Sequence, residues 1–111
     1  MTVGPFTSLW VFDQTDLASW MQDAKNAILA LQNKPGFIEA IVSRSPDEPS
    51  RLIVTSKWVD VGSYRRALSS YDAKISVWPF LANMHDQPSA FEVLLSADSQ
   101  IISEYQSSLE T

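Results

Sequence analysis

Between Asp16 and Pro35 the apolar residues Leu17, Trp20, Met21, Ala24, Ala27, Ile28 and Leu31 recur at spacings of three and four. That spacing puts them on one face of a helix, and no other segment constrains the fold as strongly. The helix is bounded on both sides. Asp13-Gln14-Thr15-Asp16 supplies capping side chains at its start. Asn33-Lys34-Pro35-Gly36 ends it, because proline cannot continue the hydrogen-bond ladder and glycine tolerates the reversal. A one-sided helix has to bury that face against something, and the flanking segments supply a sheet.

Phe6 to Phe12 is rich in aromatic and β-branched residues and reads as a first strand. Phe37 to Arg44 reads as a second, with Ile38, Ala40 and Val42 on one face and Phe37 and Ile41 on the other. The turn Ser45-Pro46-Asp47-Glu48-Pro49-Ser50 is short enough for a hairpin into a third strand, Arg51 to Val59. That strand sets Leu52, Val54 and Trp58 opposite Ile53 and Val59. Asp60 caps a second helix whose buried face reads Tyr64, Ala67, Leu68 and Tyr71. Residues 72–88 read as a helical turn followed by a packed loop, since Pro79 interrupts any continuous helix. Pro88 opens a last strand, Ser89 to Ser96. The domain is taken as residues 1–97, with 98–111 a tail in which Ile101, Tyr105 and Leu109 suggest a short docked helix.

The order β-α-β-β-α-β predicts an α+β, ferredoxin-like fold with a four-stranded antiparallel sheet and both helices on one face. Most of the strands are apolar on both faces, yet two helices shield only one. A solvated second face would alternate cleanly between apolar and polar residues. A second copy of the same sheet is the economical cover, so the chain is expected to form a homodimer through that face, as a dimeric α/β barrel.

Composition narrows the function. The 111 residues carry no Cys, a single His and a net charge of −5. Without Cys there is no disulfide or thiolate nucleophile, and one His cannot build a tight transition-metal site. Acids and bases are scattered and no basic stripe exists, so nucleic acid is not an expected partner. No apolar stretch approaches the ~20 residues that cross a bilayer. The first residues lack the features of a signal peptide, and the expected location is the cytoplasm. There is no Gly-x-Ser-x-Gly and no glycine-rich phosphate or dinucleotide loop.

The strings Pro35-Gly36-Phe37, Ile53-Val54-Thr55-Ser56-Lys57-Trp58 and Tyr64-Arg65-Arg66-Ala67-Leu68 together resemble the antibiotic-biosynthesis monooxygenase family. There a Pro-Gly-Phe opens the second strand, and a Trp ends the third, about six residues before an aromatic on the second helix. The resemblance runs from the first strand to about Phe91-Glu92-Val93-Leu94. It implies paired sheets, a pocket between sheet and helices, and cofactor-free oxygenation of small aromatic or polyketide-type molecules. Haem-degrading members carry an Asn, a Trp and a His where this chain has Thr7 or Ser8, Ala67 and Val77, which disfavours that reaction. Val54 stands where some quinone-forming members carry Asn.

On that resemblance Trp58 and Tyr64 are the candidates to polarise a substrate carbonyl, and His85 is a distant candidate base. Tyr71, Trp78 and Phe80 are the candidates to bind substrate. Each also has a plainer reading: Trp58 and Tyr64 as core aromatics with satisfied polar atoms, Trp78 and Phe80 as loop pins, and His85 as a solvent-facing histidine. No cofactor is expected. A non-catalytic small-molecule binding protein and a polyketide cyclase or isomerase are the alternatives.

Overall fold

The computed structural model describes residues 2–109. The elements run β1 (Phe6–Asp13), α1 (Leu17–Gln32), β2 (Phe37–Arg44), β3 (Arg51–Trp58), α2 (Val61–Leu68), α3 (Tyr71–Ser76), α4 (Trp78–Leu81), β4 (Ala90–Glu92), β5 (Leu95–Ala97) and β6 (Ile102–Glu104). The main sheet is antiparallel and has strand order β2-β3-β1-β4, the ferredoxin-like arrangement.

Both expected caps are present. Asp16 accepts the Ser19 N–H at 3.1 Å, and Asp60 accepts the Ser63 N–H at 2.7 Å. Each answers an N–H that the first helical turn leaves without a partner. Gly36 has a φ of 90°, and a Cβ at that position would collide with Ser63 of α2. The turn after α1 therefore needs glycine both for its backbone and for close packing.

Pairing register decides which side chains share a face. Phe6 lies opposite Trp58, Ser8 opposite Ser56, Trp10 opposite Val54, and Phe12 opposite Leu52. All eight are buried under the helices. The alternate set lies on the far face: Leu9, Val11 and Ile53 from the central strands, Ile41 from β2 and Phe91 from β4. A register shift between Phe37 and Glu39 corrects the expected β2 alternation. It turns Phe37 inward, edge-on to Trp58 at 5.2 Å and 88° between ring centroids and planes, with Ala40 and Val42 on the same face.

Four segments depart from expectation. The last strand, expected over Ser89 to Ser96, is cut to Ala90–Glu92 on the main sheet; the Leu94 carbonyl accepts the Tyr105 N–H and Leu95–Ala97 pairs in a separate two-stranded sheet. The second helix ends at Leu68, and Ser70 caps a new helix by accepting the Ala73 N–H. The seven-residue spacing from Tyr64 to Tyr71 therefore spans two helices, and Tyr71 is 76% exposed instead of facing the core. Pro79 lies in the first turn of α4, where its missing N–H costs nothing, so the region expected as a loop is helical. The tail is not a docked helix. Asp98 accepts the Gln100 and Ile101 N–H groups in a tight turn, and β5 pairs with β6 across it. No helix among the described residues is long and apolar enough to cross a membrane.

Candidate functional site

Ser8 and Ser56 face each other across β1 and β3 beneath α2, in an otherwise apolar interior. Their hydroxyls are 2.5 Å apart. Two residues further along β3, on the same face, Trp58 donates its indole N–H to the Ser56 hydroxyl at 2.8 Å. Two residues beyond Ser8 on β1, Trp10 donates its indole N–H to the Tyr64 hydroxyl at 3.1 Å. Tyr64 reaches this position because α2 crosses the sheet with Ser63, Tyr64 and Ala67 facing inward. Burial pushes the Tyr64 phenol up, and the Trp10 N–H and the Ser8 hydroxyl oppose that shift. The group is therefore neutral near pH 7, with its O–H proton in place.

These five side chains form two hydrogen-bonded groups, Trp10–Tyr64 and Ser8–Ser56–Trp58. Each group contains one indole N–H, which only donates. Five donor protons enter three hydrogen bonds, so each group has one hydroxyl proton left over. One is on Tyr64 and the other on Ser8 or Ser56. The two groups hold unspent donors and no base, and that composition suits stabilisation of an oxyanion.

The structure thus brings Trp58 and Tyr64 together, with ring centroids 5.7 Å apart and planes at 64°. It joins them to Ser8, Ser56 and Trp10, which sequence reasoning did not single out. The signal was available, since a serine in the middle of each of two facing apolar strands needs a polar partner. Phe6 flanks Tyr64 at 4.9 Å and Phe37 covers Trp58.

The other candidates lie elsewhere. His85 Nε2 is 2.9 Å from Asp13 Oδ2 at the far end of β1, and Arg51 Nε donates to the other oxygen of that carboxylate at 2.7 Å. Asp13 is the carboxylate that orients this histidine, and the neighbouring Asp86 is not. The Arg51 hydrogen bond is the first reason that the Asp13 carboxyl lies below its ordinary range. Trp78 is half-exposed, donates its N–H to the Leu68 carbonyl at 2.8 Å and carries Lys74 over its ring. Tyr71 borders a shallow groove of about 430 Å³ against α1. Phe80 is buried and lines a different groove of about 450 Å³ between α1 and α3–α4, in which Phe12 and Trp20 also take part. Neither Trp58 nor Tyr64 lines either groove. Among the described residues no cluster of three or more His, Cys, Asp or Glu side chains could hold a metal ion.

The sequence profile of a family described as antibiotic biosynthesis monooxygenase matches residues 13–74, more than half of the chain. The chain belongs to the antibiotic biosynthesis monooxygenase family. No curated protein matches it by sequence. Among solved structures it is similar to a conserved protein from Methanosarcina mazei, with 17% identity over 94% of this chain and 95% of that one, at a TM-score of 0.65. A variant of SnoaB, a cofactor-independent oxygenase from Streptomyces nogalater, aligns over 97% of this chain and 99% of its own, with 15% identity and a TM-score of 0.67. A putative antibiotic biosynthesis monooxygenase from Nitrosomonas europaea aligns over 84% and 91%, with 9% identity and the same TM-score of 0.67. At these identities the structural likenesses establish the antibiotic biosynthesis monooxygenase fold.

Proposed function

We propose that the protein is a cofactor-independent monooxygenase acting on a small, flat aromatic or polyketide-type molecule whose ionised oxygen is received by the Tyr64–Ser8–Ser56 donors. The single observation that carries the reading is that the buried hydroxyls of Tyr64, Ser8 and Ser56 hold more donor protons than their hydrogen bonds use. Family membership supplies the reaction class. In such a reaction an activated CH2 of the substrate reacts with O2, one oxygen atom becomes the product carbonyl, and the other leaves as water. The protein's share is to hold the substrate anion by a preorganised donor in a dry site. Phe37 covers the Trp58 ring edge-on. His85 bears on the reaction only as a distant proton acceptor held by Asp13. Phe80 is the one of the three expected binding aromatics that approaches the donor network, edge-on to Trp10 at 6.3 Å.

Oxygen uptake by chelator-treated protein with a panel of anthrones and hydroquinones tests this. Uptake should fall about 10²-fold in Tyr64→Phe and in Ser8→Ala, the usual scale for deleting one oxyanion donor. Uptake that persists unchanged in both variants would remove these residues from the reaction. Ligand binding with no uptake favours the binding-protein or cyclase alternatives.

The working unit in this reading is a homodimer paired through the open sheet face. Ile41 is 51% and Phe91 42% exposed there, beside Leu9 and Ile53. Ile41→Lys should halve the sedimenting mass while leaving the far-ultraviolet circular dichroism intact. An unchanged mass would place the dimer contact elsewhere or show a monomer.

A further inference from the structure

The hairpin β5–β6 is fixed at its base and open along one side. The Leu94 carbonyl accepts the Tyr105 N–H at 2.9 Å, and the Thr2 carbonyl accepts the Gln106 N–H at 2.9 Å. The Tyr105 ring lies where a Cβ on Gly4 would stand. The Glu92 carboxylate accepts the Ser107 hydroxyl at 2.7 Å and the Ser108 N–H at 2.9 Å. Register then sorts the ribbon. Leu95 pairs with Glu104 and Ala97 with Ile102, so these four share one side, while Ser96 and Ser103 share the other. All four are exposed, Leu95 at 54% and Ile102 at 70%, whereas the two serines are half-buried. The radius of gyration, 14.9 Å, exceeds the roughly 13 Å of a compact domain of about this size, as a projecting arm requires. An isolated two-stranded hairpin is marginal in water, and here the apolar side is the one left uncovered.

The open face of the main sheet has the complementary chemistry. At the end where β4 stops, Lys57 stands in one row with Thr7 and Phe91. It makes no ion pair among the described residues, not even with Glu39 opposite it on β2, and neither does Glu104. One surface is therefore apolar with a single unpaired cation, and the other apolar with a single unpaired anion. Within one chain they do not meet, since the arm side stays exposed. We propose that the β5–β6 arm docks on the open sheet face of a second copy of this chain, with Leu95 and Ile102 on the Phe91 end and Glu104 at Lys57. The inference rests on the homodimer reading and extends it. The sheets pair over Leu9, Ile41 and Ile53, and each arm covers the end of its partner's face. Two-fold symmetry makes the contact twice, so each substitution acts twice.

Sedimentation equilibrium of the full-length chain tests this, and the parent should be a dimer. Glu104→Lys and Lys57→Glu should each weaken dimerisation about tenfold or more, because each sets like charges together in both copies of the contact. The variant carrying both substitutions restores opposite charges and should return to within about threefold of the parent, the scale of an exposed pair. Ile102→Ser should weaken the dimer about tenfold, as expected for one apolar side chain that loses its burial. Far-ultraviolet circular dichroism should stay that of the parent throughout, since none of these side chains is in the core. A second measurement needs no variant. Carbodiimide coupling of dimers mixed from 14N and 15N chains should yield a Lys57–Glu104 amide with one residue from each chain, read by mass spectrometry. A dimeric parent with no such amide, or with no recovery in the double charge variant, would overturn the arm contact and leave the sheet pairing standing. A monomeric parent would overturn both.

Discussion

The two ends of β1 bury aromatic N–H groups in opposite ways. Towards its start, Trp10 and Trp58 both donate inward to hydroxyls, and neither groove reaches the cluster. At its end, Phe12 packs on Trp20 and Phe80 beside an open groove, and the Trp20 N–H has no acceptor. The helix-covered core is continuous between the two, with Phe80 edge-on to Trp10. The same side-chain chemistry is thus internally paired at one end and left buried without a partner at the other. Paired donors hold the sheet and helix together, and a ligand using them must first compete with the protein. The unpaired Trp20 donor is enclosed by the packed core, so it contributes no hydrogen bond to offset its burial.

The sharpest way to break this contrast is to remove the ring at each end. Trp58→Ala should cost about 3–5 kcal/mol, the range for deleting a buried tryptophan. It also strips a donor from Ser56. Trp20→Ala removes a ring of the same size but no hydrogen bond, so urea unfolding should show the smaller loss for Trp20. Equal losses would mean that the hydrogen-bond chain contributes nothing that packing does not.

A finer cut keeps the rings. Tyr64→Phe leaves the Trp10 N–H buried without an acceptor, which should cost about 1–3 kcal/mol. Trp20→Phe takes away a donor that is already unpaired, so it carries only the cost of the smaller ring. If Tyr64→Phe proved no more costly than Trp20→Phe, water or backbone would be replacing the phenol, and the leftover-proton argument would fail with it.

How much of this was legible beforehand follows the range of the interactions. Asp16 and Asp60 cap their helices as read, because capping is local and needs only the residues beside it. The order of elements along the chain and the Pro35-Gly36 turn were legible for the same reason. Tyr71 was misplaced because helical spacing was carried across Ser69-Ser70, although a serine at that point is itself a start signal. In the tail, the four-residue spacing of Ile101, Tyr105 and Leu109 imitated a helix, while Asp98 had already committed the chain to a turn. The candidate site divides likewise. Trp58 and Tyr64 were singled out through family resemblance. Their bonding to Ser8, Ser56 and Trp10 depends on strand register, which spacing within one strand does not reveal. Trp20 read as one more stripe residue, and only its three-dimensional surroundings show an N–H left over.

The smallest expected effect tests whether surface charge adds to the same asymmetry. Asp13 lies at the groove end of β1, where Arg51 donates to it and His85 Nε2 sits 2.9 Å away. The Arg51 hydrogen bond, above all, lowers the Asp13 carboxyl pKa in the folded state. A carboxylate with a depressed folded pKa contributes stability above its unfolded pKa of about 3.9, and the contribution is lost as pH falls through the folded value. Unfolding midpoints measured from pH 6 down to pH 2 should therefore drop less steeply below about pH 4 in Asp13→Asn than in the parent. The pair is exposed, so the difference should shrink in molar salt. The Trp10–Tyr64 end has no comparable carboxylate among its bonded groups, so Tyr64→Phe should shift the whole profile down without changing its acid slope. A change of acid slope in Tyr64→Phe would show that the two ends are coupled through Phe80 and Trp10, and the independence drawn between them would have to be given up.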